Sequence, residues 1–296
     1  MKQYFILAAA ALTLAACSND DNNNIAENNE LISLAAAIGT PTRATLTDAD
    51  AQNTQFVSGK TIKVEAYKTG ASSTYTTGEY TANGSGGLTG SLYYPATGEN
   101  IDICAYYPSS VTSSSTSFSI GATQTSATNY QAYDLMYATK LTNKAKGSTH
   151  ALTFNHALSK IVVTIANGNG VTADNISSLV TAVKINNTKP TAGFTISGGA
   201  PGAITASGTA ADIDITGSTK TSHAGIIVPQ TVTAGTFITV TYNGNNYTYS
   251  LASAKTFAAG KVYTYALTLS AAGLSLSTTS ITDWTSDTGA TQTITL

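Results

Sequence analysis

The sequence predicts an all-β, extracytoplasmic protein built from two packed antiparallel β-sandwiches. Three observations carry that reading. Only 10% of its residues are charged, against about 25% in an ordinary soluble chain, and Thr, Ser, Asn, Ala and Gly fill the difference. Apolar residues recur at period two in short runs bounded by Gly, Asn, Ser and Thr, without the strand–helix alternation of an α/β fold. A secretory leader opens the chain. Its 296 residues suffice for two cores at about 150 residues per domain. A formal net charge of -2 provides no basic footprint for nucleic acid and no acidic tail.

Residues 1–17 read as an address. Lys2 precedes the apolar run Phe5 to Leu12, which closes on Leu14-Ala15-Ala16-Cys17. An early positive charge, a short apolar core and small residues before the cut make a signal peptide. From Phe5 to Ala16 the run falls short of the roughly 20 apolar residues of a membrane span. Its ending resembles the bacterial lipobox, which implies that Cys17 becomes the acylated mature N-terminus. Each buried CH₂ of an acyl chain contributes about 0.8 kcal/mol, so several chains (diacylglycerol plus palmitate) anchor stably. Cys104 is then the only other cysteine, so no intrachain disulfide is expected, and its strand-like surroundings suit a small buried hydrophobe. Ser18 to Asn24 forms a polar, acidic tether.

The elements of the body follow in order. Leu31 to Ile38 is strand-like, with Ile32, Leu34, Ala36 and Ile38 on one face. Thr61 to Tyr67 alternates so that Ile62, Val64 and Ala66 share a face, and Ile101 to Tyr107 is a further strand. Lys140 to Ser148, rich in Lys and containing Gly, reads as the linker between the sandwiches. The expected divisions are a propeptide at 18–43, an N-terminal sandwich at 44–147 and a C-terminal sandwich at 148–296. In the second half, Leu152, Phe154, His156 and Leu158 alternate, as do Ile161, Val163 and Ile165. Residues 174–184 suit a short helix. Phe237 to Tyr242 and Tyr247 to Leu251 form a hairpin around a four-residue loop, and Lys261 to Leu269 is another strand. In the last segment, Gln292, Ile294 and Leu296 alternate along one face.

No motif of catalysis is present: there is no Gly-x-Ser-x-Gly elbow, Walker loop or His-Glu-x-x-His helix. The sequence therefore predicts neither an enzyme nor a bound cofactor. The three histidines are His150, His156 and His223. A strand through the first two would hold them about 20 Å apart, too far for one metal, so no metal site is expected. Asp212 and Asp214 share a strand face that reads as solvated.

The one arginine of the chain is Arg43, in Gly39-Thr40-Pro41-Thr42-Arg43-Ala44. A strand followed by Gly, Pro and a lone Arg has the form of a strand with a protease site behind it. The order of motifs along nearly the whole chain resembles the fimbrillin, or type V pilin, family of Bacteroidales, including its Mfa-like and FimA-like subunits. The lipobox at Cys17, Thr42-Arg43-Ala44, Ile103-Cys104-Ala105-Tyr106-Tyr107-Pro108 and Tyr133-Asp134-Leu135-Met136-Tyr137-Ala138 carry the resemblance. So do Phe154-Asn155-His156, Gly260-Lys261-Val262-Tyr263 and Ile281-Thr282-Asp283-Trp284.

The resemblance implies two transthyretin-like sandwiches and delivery to the outer membrane as a lipoprotein. It further implies that an Arg-specific surface protease cuts between Arg43 and Ala44. The groove left by Ile32, Leu34, Ala36 and Ile38 would then take a strand from another subunit, building a surface fimbrium that supports adhesion. The final strand, with Gln292, Ile294 and Leu296, is the expected donor; the alternative is an edge strand of its own sandwich. It also implies that His156 is a packed, hydrogen-bonded core residue. Other readings are a lipidated anchor subunit and a monomeric glycan- or protein-binding surface lipoprotein. Cleavage would remove Lys2 and Arg43 with Asp20, Asp21, Glu27 and Glu30, leaving 12 basic against 12 acidic residues. Subunits of zero net charge approach one another with little long-range repulsion.

Overall fold

A computed structural model describes residues 30–39, 55–284 and 292–293. The first half holds β1 (Leu34–Ile38), β2 (Thr61–Lys68), β3 (Thr74–Ala82), β4 (Gly87–Thr89) and β5 (Ile101–Tyr107). It continues with β6 (Ser117–Ser119), helix α1 (Ala127–Ala132), β7 (Met136–Ala138), β8 (Leu141–Lys144) and β9 (His150–His156). The strands β2-β3-β4-β1-β9-β7-β5 neighbour one another in that order, and β5 pairs back onto β2, so the sheet closes into a ring. Alternation supplies its inner face as expected, although a sandwich rather than a closed ring was predicted. Ile62, Val64 and Ala66 of β2 all point into its core.

β5 is buried along its whole length because its two faces serve different cores. Ile101, Ile103, Ala105 and Tyr107 fill the ring, while Cys104 and Tyr106 belong to the second core. That explains why the run is apolar on both faces except at Asp102, which is buried against Lys140 Nζ at 2.9 Å and the Asn143 N–H at 2.9 Å.

The second half begins with β10 (Ser159–Asn167), α2 (Ala173–Leu179) and β11 (Val180–Thr188). Short strands follow: β12 (Thr191–Gly193), β13 (Ile196–Ser197), β14 (Ala200–Pro201), β15 (Thr205–Ser207) and β16 (Ala211–Asp214). Next come β17 (Ser222–Ile227), β18 (Gln230–Val232), β19 (Gly235–Tyr242), β20 (Asn245–Leu251) and β21 (Lys255–Phe257). The last are β22 (Lys261–Ser270), β23 (Gly273–Asp283) and β24 (Gln292–Thr293). The sheets β17-β10-β22-β23-β24 and β16-β11-β19-β20 bury their inner faces in one core, with Ile161 and Val163 from β10 meeting Val183 and Ile185 from β11. β6, from the first half, joins β12 and β15 and ties the halves together.

Four local expectations change. The sheets are mixed rather than wholly antiparallel: β1 runs parallel to β9, and β10 parallel to β22. Both pairings join strands distant in sequence, where a crossover rather than a hairpin connects them. The boundary drawn at 147/148 falls inside the first sheet. The expected linker contains β8, whose Thr, Asn and Lys suit its edge position, and β9 beyond it pairs with β1 and β7. The first core ends at Phe154 in β9; from Ala157 and Leu158 onward the buried apolar residues belong to the second cluster, which Cys104, Tyr106, Val111, Ile120, Tyr130 and Leu135 join from the first half.

The expected helix is α2, capped by Thr172 and Asn175, but it stops at Leu179. Val180, Thr181 and Val183 are β-branched and continue as β11. The β19–β20 hairpin turns on two residues, not four. Tyr242 faces Asn245, with Asn243 at φ 48° and Gly244 at φ 75°, the positive pair of a type I′ turn.

Candidate functional site: the N-terminal strand and the ring it closes

β1 is the stave between β4 and β9. It runs antiparallel to β4, with Leu34 opposite Leu88, and parallel to β9 from Leu34–His150 to Ile38–Phe154. Backbone bonds continue beyond the strand. The Ile32 N–H donates to the Leu92 carbonyl at 2.8 Å, Ala36 N–H to Gly86 at 2.8 Å and Gly39 N–H to Phe154 at 2.8 Å. In return, His150 N–H donates to the Ser33 carbonyl at 2.9 Å and Tyr94 N–H to Glu30 at 2.9 Å. Gly39, at φ 64°, follows the strand in the left-handed conformation that favours glycine.

Ile32, Leu34, Ala36 and Ile38 point inward as expected, with exposures of 2%, 2%, 5% and 0%. They meet a wall that includes Phe56, Ile62, Tyr80 and Phe154. Burial of each large aliphatic side chain stabilises the strand by about 1.5–3 kcal/mol. The Tyr80 hydroxyl donates to the Ile32 carbonyl at 2.8 Å, and burial pushes the phenol pKa up to about 12. Gly90 makes room for that ring: a Cβ there would lie 2.5 Å from it. Tyr94 pairs its hydroxyl with His150 Nε2 at 2.6 Å and donates to the Ala145 carbonyl at 2.9 Å.

The sequence reading singled out Ile32, Leu34, Ala36 and Ile38 but missed Tyr80, Gly90 and Tyr94. The missing signal is a large–small pairing between neighbouring strands, which becomes visible only once their register is known.

Other site residues stand apart. Cys17, Arg43, Ala44, Ile294 and Leu296 lie outside the described residues. Gln292 lies in β24, which pairs along the edge of its own β23, Gln292 opposite Ile281 and Thr293 opposite Ser280. His156 is a packed core residue: its Nδ1 lies 2.9 Å from Asp134 Oδ1, and its ring stacks on Trp284 with centroids 3.8 Å apart. His223 accepts from Gly217 N–H through Nδ1 and donates from Nε2 to the Lys220 carbonyl, and burial lowers its pKa.

The three histidines thus occupy three separate environments. Among the described residues no group of three or more His, Cys, Asp or Glu side chains is placed to hold a metal. Cys104 is buried, and desolvation raises its thiol pKa, which suppresses the reactive thiolate. Asp214 spends one carboxylate oxygen on the backbone and hydroxyl of Thr216. No helix among the described residues is long and apolar enough to cross a membrane.

Comparison with known proteins places this architecture. A Bacteroides uniformis protein provisionally named fimbrium subunit Fim1C is 31% identical over 231 residues, 73% of this chain and 72% of its own length. The crystal structure of a candidate cell adhesion protein from B. uniformis aligns with a TM-score of 0.67 at 24% identity, over 88% of this chain and 100% of that one. A second such structure, from Bacteroides ovatus, aligns with a TM-score of 0.62 at 17% identity, over 88% and 99%; these two show a shared fold. The fimbrillin-like family pattern matches residues 42–284, and with most of its length so matched the chain belongs to the fimbrillin-like family.

Proposed function

We propose that the protein is a structural subunit of a type V fimbrium that supports adhesion, made of two transthyretin-like sandwiches. It is exported as a lipoprotein acylated on Cys17 and delivered to the outer membrane. An Arg-specific protease cuts it between Arg43 and Ala44, and polymerisation follows by strand exchange. The observation that carries the proposal is the position of β1. Removing that one stave opens the ring, leaving backbone donors and acceptors of β4 and β9 beside the apolar groove of Ile32, Leu34, Ala36 and Ile38. An open edge above an apolar groove is a template for β-augmentation. Arg43 follows Gly39 by four residues, so a cut there separates the strand from the body without cutting the ring itself. Membership of the fimbrillin-like family and the likeness to a protein named as a fimbrium subunit support the same reading.

The pairing of β24 with β23 favours a second reading, in which Gln292, Ile294 and Leu296 complete the chain's own sheet. The subunit then stays lipidated as an anchor or acts as a monomeric binding lipoprotein. N-terminal sequencing of protein sheared from cells separates the two. Ala44 at the N-terminus is expected for a fibre subunit, and acylated Cys17 for an anchor. Arg43→Ala should keep β1 in place, giving folded protein and no fibres; normal fibres from that uncleaved variant would refute the groove-opening role.

A further inference from the structure

A cavity of about 290 Å³ opens where the two cores meet, between the end of β9 and the connection from β14 to β15. Its lining is small and apolar: Ala157 and Ile204 with the prolines Pro201 and Pro229, beside the Tyr137 ring. Among the described residues no Lys, Arg, Asp or Glu lines it. Its one ionisable member besides Tyr137 is His156.

His156 carries the chemistry. Its side chain is 1% exposed, its ring stacks on Trp284, and its Nδ1 lies 2.9 Å from Asp134 Oδ1. The carboxylate accepts the Nδ1 proton, which leaves Nε2 of the neutral ring as a bare acceptor. That Nε2 is buried and has no hydrogen-bond partner. Buried polar atoms are seldom left so, because an unmade hydrogen bond costs the full desolvation of the group. The rim of the cavity is the exposed pair Gly202 and Ala203, tied to the body by the Gly202 N–H, which donates to the Thr195 carbonyl at 2.8 Å.

We propose that this cavity binds a phenol group, with its ring among Pro201, Pro229 and Ile204 and its hydroxyl donating to His156 Nε2. The volume holds one such ring, and prolines present the C–H faces on which aromatic rings pack. A mostly apolar pocket with one placed polar group fixes the orientation, and a charged ligand finds no counter-charge there. Nε2 is shielded from solvent, so entry of the ring pushes back the Gly202–Ala203 rim. The hydrogen bond then forms away from water, where it is strongest. This inference stands on the cavity alone and holds whether or not the subunit polymerises.

Trp284 is the one tryptophan of the chain, and its stacking on His156 makes it the reporter. In the purified full chain, 4-methylphenol should change its fluorescence saturably, excited at the red edge where phenols do not absorb, and should bind one to one by calorimetry. 4-Methylanisole, the same ring with its donor capped, should bind about fivefold more weakly or worse, the loss expected for one neutral hydrogen bond. N-acetyltyrosinamide separates the two sources of a phenol: tighter binding than 4-methylphenol assigns the group to a partner's tyrosine side chain, weaker binding to a free ligand. His156→Phe would strand the buried Asp134 carboxylate, so the variant used is Ala203→Phe at the exposed rim, which adds no tryptophan and should weaken binding at least tenfold. No binding of 4-methylphenol, equal binding of the capped ring, or binding undiminished by Ala203→Phe would each overturn the proposal.

Discussion

Tyr80 shows how much of the candidate site rests on single atoms. Its hydroxyl donates to the Ile32 carbonyl from a fully buried ring seated on Gly90. Tyr80→Phe should therefore cost about 0.5–1.5 kcal/mol at neutral pH, measured by urea unfolding. The same residue sets a pH dependence. Its pKa is raised from 10.0 to about 12 by burial, so the folded state holds the phenolic proton more tightly than the unfolded chain does. That contribution is complete below pH 10 and is lost as pH rises from 10 through 12. Across that window the Phe variant should lose stability less steeply than the parent. Burial also raises the pKa of Tyr106 and Tyr265, so part of the alkaline slope should persist; an unchanged slope would remove Tyr80 from the account.

At the scale of elements, the proposed strand exchange requires β1 to be a removable part, and alternation makes its fit. A chain beginning at Ala44 should take up a peptide of residues 30–39 one to one, read by fluorescence anisotropy of the labelled peptide. Leu34→Asp in that peptide should abolish uptake, because a carboxylate would enter the closed apolar wall. Equal binding of both peptides would show that the groove does not select by its core face. Much of this element was legible beforehand. Period two placed Ile32, Leu34, Ala36 and Ile38 on one face, and β2 and β22 were equally plain. The ring was not legible, because β1 meets β9 across more than a hundred intervening residues, and single-strand periodicity carries no partner information. β5 obscured the domain boundary for a related reason, since a strand shared by two cores is buried on both faces, its one charged residue Asp102 included. Trp284 stands in the motif Ile281-Thr282-Asp283-Trp284, yet its stacking on His156 depends on β23 returning to the junction, which no local pattern encodes.

For the whole molecule, the decisive question is which sheet the C-terminal segment completes. β23 is paired along nearly its full length to β22, from Gly273–Ser270 to Asp283–Lys261, and is anchored at its end by the buried Trp284. Among the described residues, β24 adds the Gln292–Ile281 and Thr293–Ser280 positions at the outer edge. Two paired residues hold a strand weakly, since each net backbone hydrogen bond contributes only about 0.5–1.5 kcal/mol. Ordering each residue costs a similar amount. Under the proposed exchange, a groove that buries Ile294 and Leu296 would offer about 1.5–3 kcal/mol for each side chain, which would favour transfer to a neighbour's open ring over the edge pairing. On the proposed reading, deleting Gln292 to Leu296 should leave the melting temperature within about a degree or two, because the two described pairings it removes lie at the sheet edge. The truncated chain should still be cleaved at Arg43 and should fail to form fibres under electron microscopy. A drop in melting temperature of several degrees would instead make β24 an integral strand of its own sheet. Fibres of normal length from the truncated chain would rule the segment out as the donor.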